Sequence, residues 1–298
     1  MNHSRIIPLF VLLASAALAA PLDTARIESL TGLKGTWSAA EGVFKVTQPR
    51  NDLPVKVDGW TMPPFMGLTT WASFMAGGKA EVMVMGDMVL LEDEVNPVMS
   101  AALDAGLEVT ALHNHFFFAE PGVYFMHIGG EGTLEQLAGG VKAALTREKE
   151  IRAAHPQPAR LFGAAPAPVT NAITGAVIEG LLGTKGQAKD GMFKIVIGRS
   201  AKMPCGCEAG KEMGVNTWAA FAGTDDNAIM DGDFAVHEDE LQPVLKSLRA
   251  AGINIVAIHH HMTGEEPRYL FLHYWGRGPV ESLAHSLKQT LVVQAAIK

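Results

Sequence analysis

The sequence predicts an α+β fold: two tandem copies of an α-β-β-β-α-β-β-α unit with largely antiparallel sheets, packed as a pseudo-dimer. Three observations predict it. Residues 107–145 recur at 253–291, at a constant offset of 146 and without a gap. The match continues upstream with small drifts in offset, so nearly all of the 298-residue chain reads as one unit written twice. Within each unit, apolar residues switch between the strand period of two and the helical period of 3.6 in the same order.

Residues 24–33 and their match 173–182 read as short helices. Residues 42–46 and 191–195 read as strands, followed in the first unit by strands at 68–75 and 80–91, where Val82, Val84 and Val89 favour extended backbone. Residues 92–105 read as a helix, with Glu92, Asp93 and Glu94 in its first turn and Gly106 as its stop. A strand over 107–118, a turn at 119–122 and a returning strand over 123–128 then form a hairpin. A helix over 133–147 closes the unit, with Leu134, Leu137, Val141 and Leu145 on one face.

Residues 1–20 stand outside this pattern. Arg5, an apolar run and Ala17-Leu18-Ala19 match a cleaved export signal without a lipid-attachment cysteine. The expected organisation is signal peptide 1–20, first unit 21–153, Pro/Ala-rich linker 154–169 and second unit 170–298. The expected location is periplasmic or secreted, with no stable membrane insertion after signal cleavage. The chain has 24 basic and 31 acidic residues; loss of Arg5 leaves 23 against 31, a net charge of −8. That balance argues against nucleic acid as a partner.

Two cysteines, Cys205 and Cys207, cannot form a disulfide framework, so the cores must rest on apolar burial. In an oxidising compartment the pair is expected as a strained, exchange-prone disulfide, with soft-metal binding as the alternative. The first unit has no counterpart, because the pair sits in an insertion.

The candidate chemistry lies in the hairpin. His113, His115 and His127 match His259, His261 and His273, while neighbours drift: Asn114 becomes His260, and Phe116-Phe117-Phe118 becomes Met262-Thr263-Gly264. Residues two apart on a strand share a face, so His113 and His115 are expected to point together. A loop of three or five residues around Glu120-Pro121 would set His127 opposite His113 on that face. Three convergent imidazoles would suit a divalent metal, zinc first and copper second. Glu120 and Glu266 are candidate further ligands or general bases. Asp87 and Asp233, each after glycine, read as turn residues before a helix. His3, His155 and His285 have no such support, and His260 should face away from its neighbours. Met83 and Met85 are expected to fill core space.

The chain resembles the LppY/LpqO-type family of exported bacterial proteins of uncharacterised function. The residues that carry the resemblance are His113-Asn114-His115 with Glu120-Pro121 and His127, Thr217-Trp218-Ala219-Ala220-Phe221, Gly232-Asp233-Phe234, and His259-His260-His261 through Glu266-Pro267-Arg268 to His273-Tyr274-Trp275-Gly276. The resemblance implies an exported protein with a duplicated domain and no particular activity. The resulting expectation is an exported divalent-metal-binding protein, with metal-dependent hydrolysis as its enzymatic form. One alternative is a binding module for a small molecule or glycan between the halves, using Trp71, Trp218, Tyr269, Tyr274 and Trp275. The other is copper or zinc buffering by the same histidines.

Overall fold

The computed structural model describes residues 22–163, 166 and 168–297. The segment expected as a signal peptide, with His3, lies outside these residues. The first unit runs α1 (Thr24–Thr31), β1 (Gly35–Ser38), β2 (Val43–Pro49), β3 (Lys56–Val57), β4 (Trp60–Thr61), β5 (Thr69–Ala76) and β6 (Val82–Leu91). It continues with α2 (Glu92–Asp104), β7 (Glu108–His113), β8 (Ala119–Glu120), β9 (Val123–Gly132) and α3 (Leu134–Ala154). The second unit repeats the order with α4 (Gly175–Leu182), β10 (Gly186–Lys189), β11 (Met192–Gly198), β12 (Ala201–Lys202), β13 (Glu208–Ala209), β14 (Asn216–Thr224) and β15 (Asn227–His237). It ends with α5 (Leu241–Ala250), β16 (Asn254–His259), β17 (Tyr269–Gly278) and α6 (Val280–Ala295). Each unit thus has the expected elements plus an outer edge strand, β1 or β10, and two short strands in the connection that follows β2 or β11.

The fold is α+β with one large antiparallel sheet. Its twelve strands run β1-β2-β5-β6-β9-β7-β16-β17-β15-β14-β11-β10, so the order reads the same from either end with the halves exchanged. The halves meet at β7 and β16, where Leu112 pairs antiparallel with Ile258. All six helices pack on one face of the sheet and share one core with it, in which Phe74, Met126, Phe234 and Leu272 are buried. Strand alternation produces this burial, since every second side chain turns to the helices. Among the described residues, no helix is long and apolar enough to cross a membrane.

Two amide side chains lock the centre. Each central hairpin carries a bulge, between Val109 and Ala111 in one half and between Ile255 and Ala257 in the other. The bulge takes one peptide out of the ladder, and a buried peptide without partners is costly. Gln242 on α5 supplies both partners to Val109, accepting its N–H at 3.0 Å and donating to its carbonyl at 2.9 Å. Asn96 on α2 does the same for Ile255 at 2.7 and 3.1 Å. Each half therefore completes the other's strand, and the two units form one body.

The second face of the sheet is capped only in part. Val55, Met62 and Leu68 cover Val89, Leu91, Val123 and Phe125 in the first half. Ala201, Ala209 and Val215 cover Ala235, Tyr269 and Phe271 in the second. Beyond these caps the face is open. Met85 is 53% exposed there, and Met75 is exposed too, which corrects the expectation that Met85 fills core space; Met88 and Met99 do fill it. Met83 is half-buried.

Candidate metal centre

Both histidine clusters lie at the rim of a cap, where the covered face gives way to the open one. The first stands on β6, β9 and β7. Across these strands Asp87 pairs with His127, and His127 with Ala111. His113 pairs with Phe125, which corrects the expected register by two residues. A two-residue shift preserves the side-chain face, so His113 and His127 still point the same way, with ring centres 5.2 Å apart.

His115 is not on the strand. Pairing stops at His113, and the chain leaves the sheet to build the cap: the Asn114 side chain donates to the Phe116 carbonyl, and β8 pairs with β3 instead of β7. His115 reaches the cluster from this loop. Its ring stacks on Phe125 and lies 5.1 Å from that of His113. The second half repeats this plan. His259 ends β16, His273 lies on β17, and His261 comes from the following loop to stack on Phe271. The His259 ring is 5.0 Å from His261 and 4.8 Å from His273.

Each cluster includes a carboxylate that stands on a strand and not in the expected turn. Asp87 and Asp233 lie inside the long strands β6 and β15, not in turns before helices. They are only 8% and 2% exposed, and each keeps one buried oxygen, Oδ1, without a hydrogen-bond partner. Asp233 Oδ2 lies 3.2 Å from His261 Nε2, which in turn lies 3.2 Å from His259 Nε2. Asp233, His259 and His261 thereby form a group able to hold a metal ion.

Backbone carbonyls face two of the imidazoles. His261 Nδ1 faces the Gly214 carbonyl and His273 Nδ1 the Gly232 carbonyl, each at 3.4 Å. A carbonyl only accepts, so an ion held on Nε2 would leave each Nδ1 proton with an acceptor. Burial pushes the Asp87 carboxyl above the usual range against the opposing pull of His127, His115 and His113. Burial also holds His115 and His259 below the ordinary histidine value, favouring the neutral, ligating form.

The remaining candidates stand apart. Glu120 on β8 pairs with Lys56, and the Glu266 backbone pairs with Lys202; both glutamates are exposed. Among the described residues, no hydrogen bond or ion pair joins either one to the histidines. His260 turns aside to the Tyr269 carbonyl, 3.0 Å from Nδ1, while His155, just past the end of α3, and His285, on α6, are exposed. Tyr269 and Tyr274 are buried, so of the five aromatics only Trp71, Trp218 and Trp275 reach the open face. Cys205 and Cys207 form a disulfide at the β12–β13 tip.

The two clusters belong to one surface. Trp71, Asp87, His127 and Ala111 form a row across β5, β6, β9 and β7. One residue from the Leu112–Ile258 pair, Ala111 lies beside His259. The mate row is Trp218, Asp233, His273 and Ala257, and Ala257 lies beside His113. Each row therefore begins in one half and ends on a histidine of the other. A lysine covers each tryptophan: Lys45 Nζ is 4.3 Å from the Trp71 ring centre and Lys194 Nζ 4.0 Å from that of Trp218.

These features define a duplicated α+β protein with a twinned histidine–aspartate surface on an antiparallel sheet. The chain belongs to the family described as Domain of Unknown Function (DUF1259), which matches residues 25–147 and again 176–293. None of the curated proteins matches it. Among solved structures it is similar to the trimeric bacterial microcompartment shell protein PduB, at 11% identity over 87% of this chain and 89% of that one, with a TM-score of 0.23. It is also similar to a double-ringed trimeric shell protein of the RMM microcompartment, at 13% identity over 77% and 84%, with a TM-score of 0.22. Likeness at this level carries no argument about what this chain does.

Proposed function

We propose that this is an exported divalent-metal-binding protein with one three-histidine, one-aspartate centre in each half. The observation that carries the reading is the convergence of three donor atoms: His261 Nε2 lies 3.2 Å from both His259 Nε2 and Asp233 Oδ2, and the group's ligand atoms all lie within 4.8 Å of one another. Tetrahedral zinc with ligands at about 2.0–2.1 Å has ligand–ligand edges of about 3.3 Å. The unpartnered Oδ1 atoms of both aspartates add to the case, because a buried carboxylate ordinarily finds a donor or a cation.

Imidazole and carboxylate donors suit zinc best. Copper is the alternative, and the exposed Met85 thioether on the Asp87 face speaks for it. Export is supported by the signal-like residues 1–20 and by the LppY/LpqO-type resemblance. The open face leaves room for water beside a bound ion, the requirement for metal-dependent hydrolysis. Zinc and copper titration of the chelator-treated chain tests the proposal. Saturable submicromolar uptake lost in Asp233→Ala, His259→Ala and their first-half equivalents supports it, and uptake no tighter than a surface-histidine control sinks it.

A further inference from the structure

We propose that the two centres act as one receptor, holding a single ligand with two oxyanion ends across the pseudo-twofold axis, one end at each centre. This rests on the metal reading above. The first support is position. The strand register puts His259 beside Ala111 and His113 beside Ala257, so nothing larger than a methyl group separates the clusters along either row. Ala111 and Ala257 occupy matching positions in the two repeats, leaving a flat floor between the centres. One centre spans β6, β9 and β7, and the other spans β15, β17 and β16. With Asp87 on β6 and Asp233 on β15, the middle strands of the two centres, β9 and β17, are three strand spacings apart, about 14 Å at roughly 4.8 Å per strand.

Charge is the second support. A divalent ion with three neutral imidazoles and one aspartate leaves each centre at +1, so the loaded pair carries +2. Lys45 and Lys194 extend that sign outward along the rows. Each ammonium rests on its tryptophan, and among the described residues neither has a carboxylate partner. The chain is acidic as a whole, yet this face becomes cationic once loaded, which suits a dianion. The repeat itself is the third support. Lysine, tryptophan, aspartate and histidine persist in both copies, while neighbours on the same open face diverge: Met83 corresponds to Ile229 and Met85 to Asp231.

A ligand anchored at both ends gains an effective concentration for its second contact, worth about 100-fold or more over a one-ended analogue. The test uses the zinc-loaded full chain in calorimetric titrations with sebacate and with hexanediol bisphosphate. Acetate and ethyl phosphate serve as one-ended controls, and zinc content is measured before and after each titration. The expected result is one two-ended ligand per chain, bound at least 100-fold more tightly than its control. The better of the two arms identifies carboxylate or phosphate as the natural end group. His259→Ala should reduce that affinity to the control level while the first centre keeps its zinc. A chain that holds zinc at both centres but binds two ligands independently, or prefers neither two-ended ligand, overturns the bridging inference alone. A chain that takes up no zinc overturns the metal reading with it.

Discussion

Glu148 and Gln294 occupy the same place in the two repeats, at the offset of 146, and the pair makes a quantitative test of the packing. Glu148 lies on the buried side of α3, beside Arg50 at 3.6 Å. Arg50 is already satisfied by Glu94, through two bonds of 2.6 Å, and by the Val89 carbonyl. Burial raises the Glu148 carboxyl from its ordinary 4.5 to about 7, with Arg50 opposing and Glu94 and Asp52 reinforcing the rise. In the second half Gln294, a neutral side chain, donates to the Ala235 carbonyl and to Glu240. Glu148→Gln should therefore remove a penalty. Below pH 4.5 the carboxyl is protonated in both folded and unfolded chains and contributes no difference. Between pH 4.5 and about 7 the unfolded chain loses the proton first, so wild-type stability falls through this window and then levels off. A rise from 4.5 to about 7 corresponds to about 3 kcal/mol, an upper figure because the Arg50 contact is lost as well. Urea unfolding at pH 4.5, 6 and 8 reads the difference. The variant and wild type should coincide at the lowest pH, with the variant about 2–3 kcal/mol more stable at the highest. A variant less stable than wild type at pH 8 would refute this reasoning and make the Glu148–Arg50 pair net stabilising.

Other consequences are more local. Asn96→Ala strands the buried N–H and carbonyl of Ile255 at the centre of the sheet and should cost about 2–4 kcal/mol in chemical unfolding; a cost below about 0.5 kcal/mol would remove the cross-half lock. Gln242→Ala should act in the same direction through Val109. Replacing Cys205 and Cys207 by serine should change stability by at most about 2 kcal/mol, since their bridge closes a loop with one residue between them. Asp87→Asn and Asp233→Asn should each weaken zinc binding about tenfold or more while leaving the melting temperature of the metal-free chain unchanged or raised, as a buried charge is removed.

Much of this was legible in the sequence, for identifiable reasons. Strand alternation gave the shared face of His113 and His127, and that survived a register error of two because parity is unchanged by an even shift. The role of His115 was less accessible: two residues along a strand and two residues past its end look alike in sequence. Where β7 stops depends on the cap, and the cap depends on β3 and β4, which carry almost no periodicity. Asp87 and Asp233 were misassigned because Gly-Asp is a common turn signal. The strand expected over 80–91 already contains Asp87, and the alternation of Val82, Val84 and Gly86 running on into Met88 and Leu90 sets it on the face opposite the core. Its persistence at the same offset as the histidines is a second signal. The joining of two units into one sheet was out of reach, since it rests on Asn96 and Gln242, matched positions that differ in length and serve the opposite half.

The most direct test of the metal centres is elemental analysis of the chain purified without chelator, beside the doubly substituted His115→Ala, His261→Ala chain. About two divalent ions per wild-type chain and close to none in the variant are expected, since each substitution removes one of the imidazoles that hold the ion. A wild-type ratio near zero, or a ratio that both substitutions leave unchanged, would contradict the assignment.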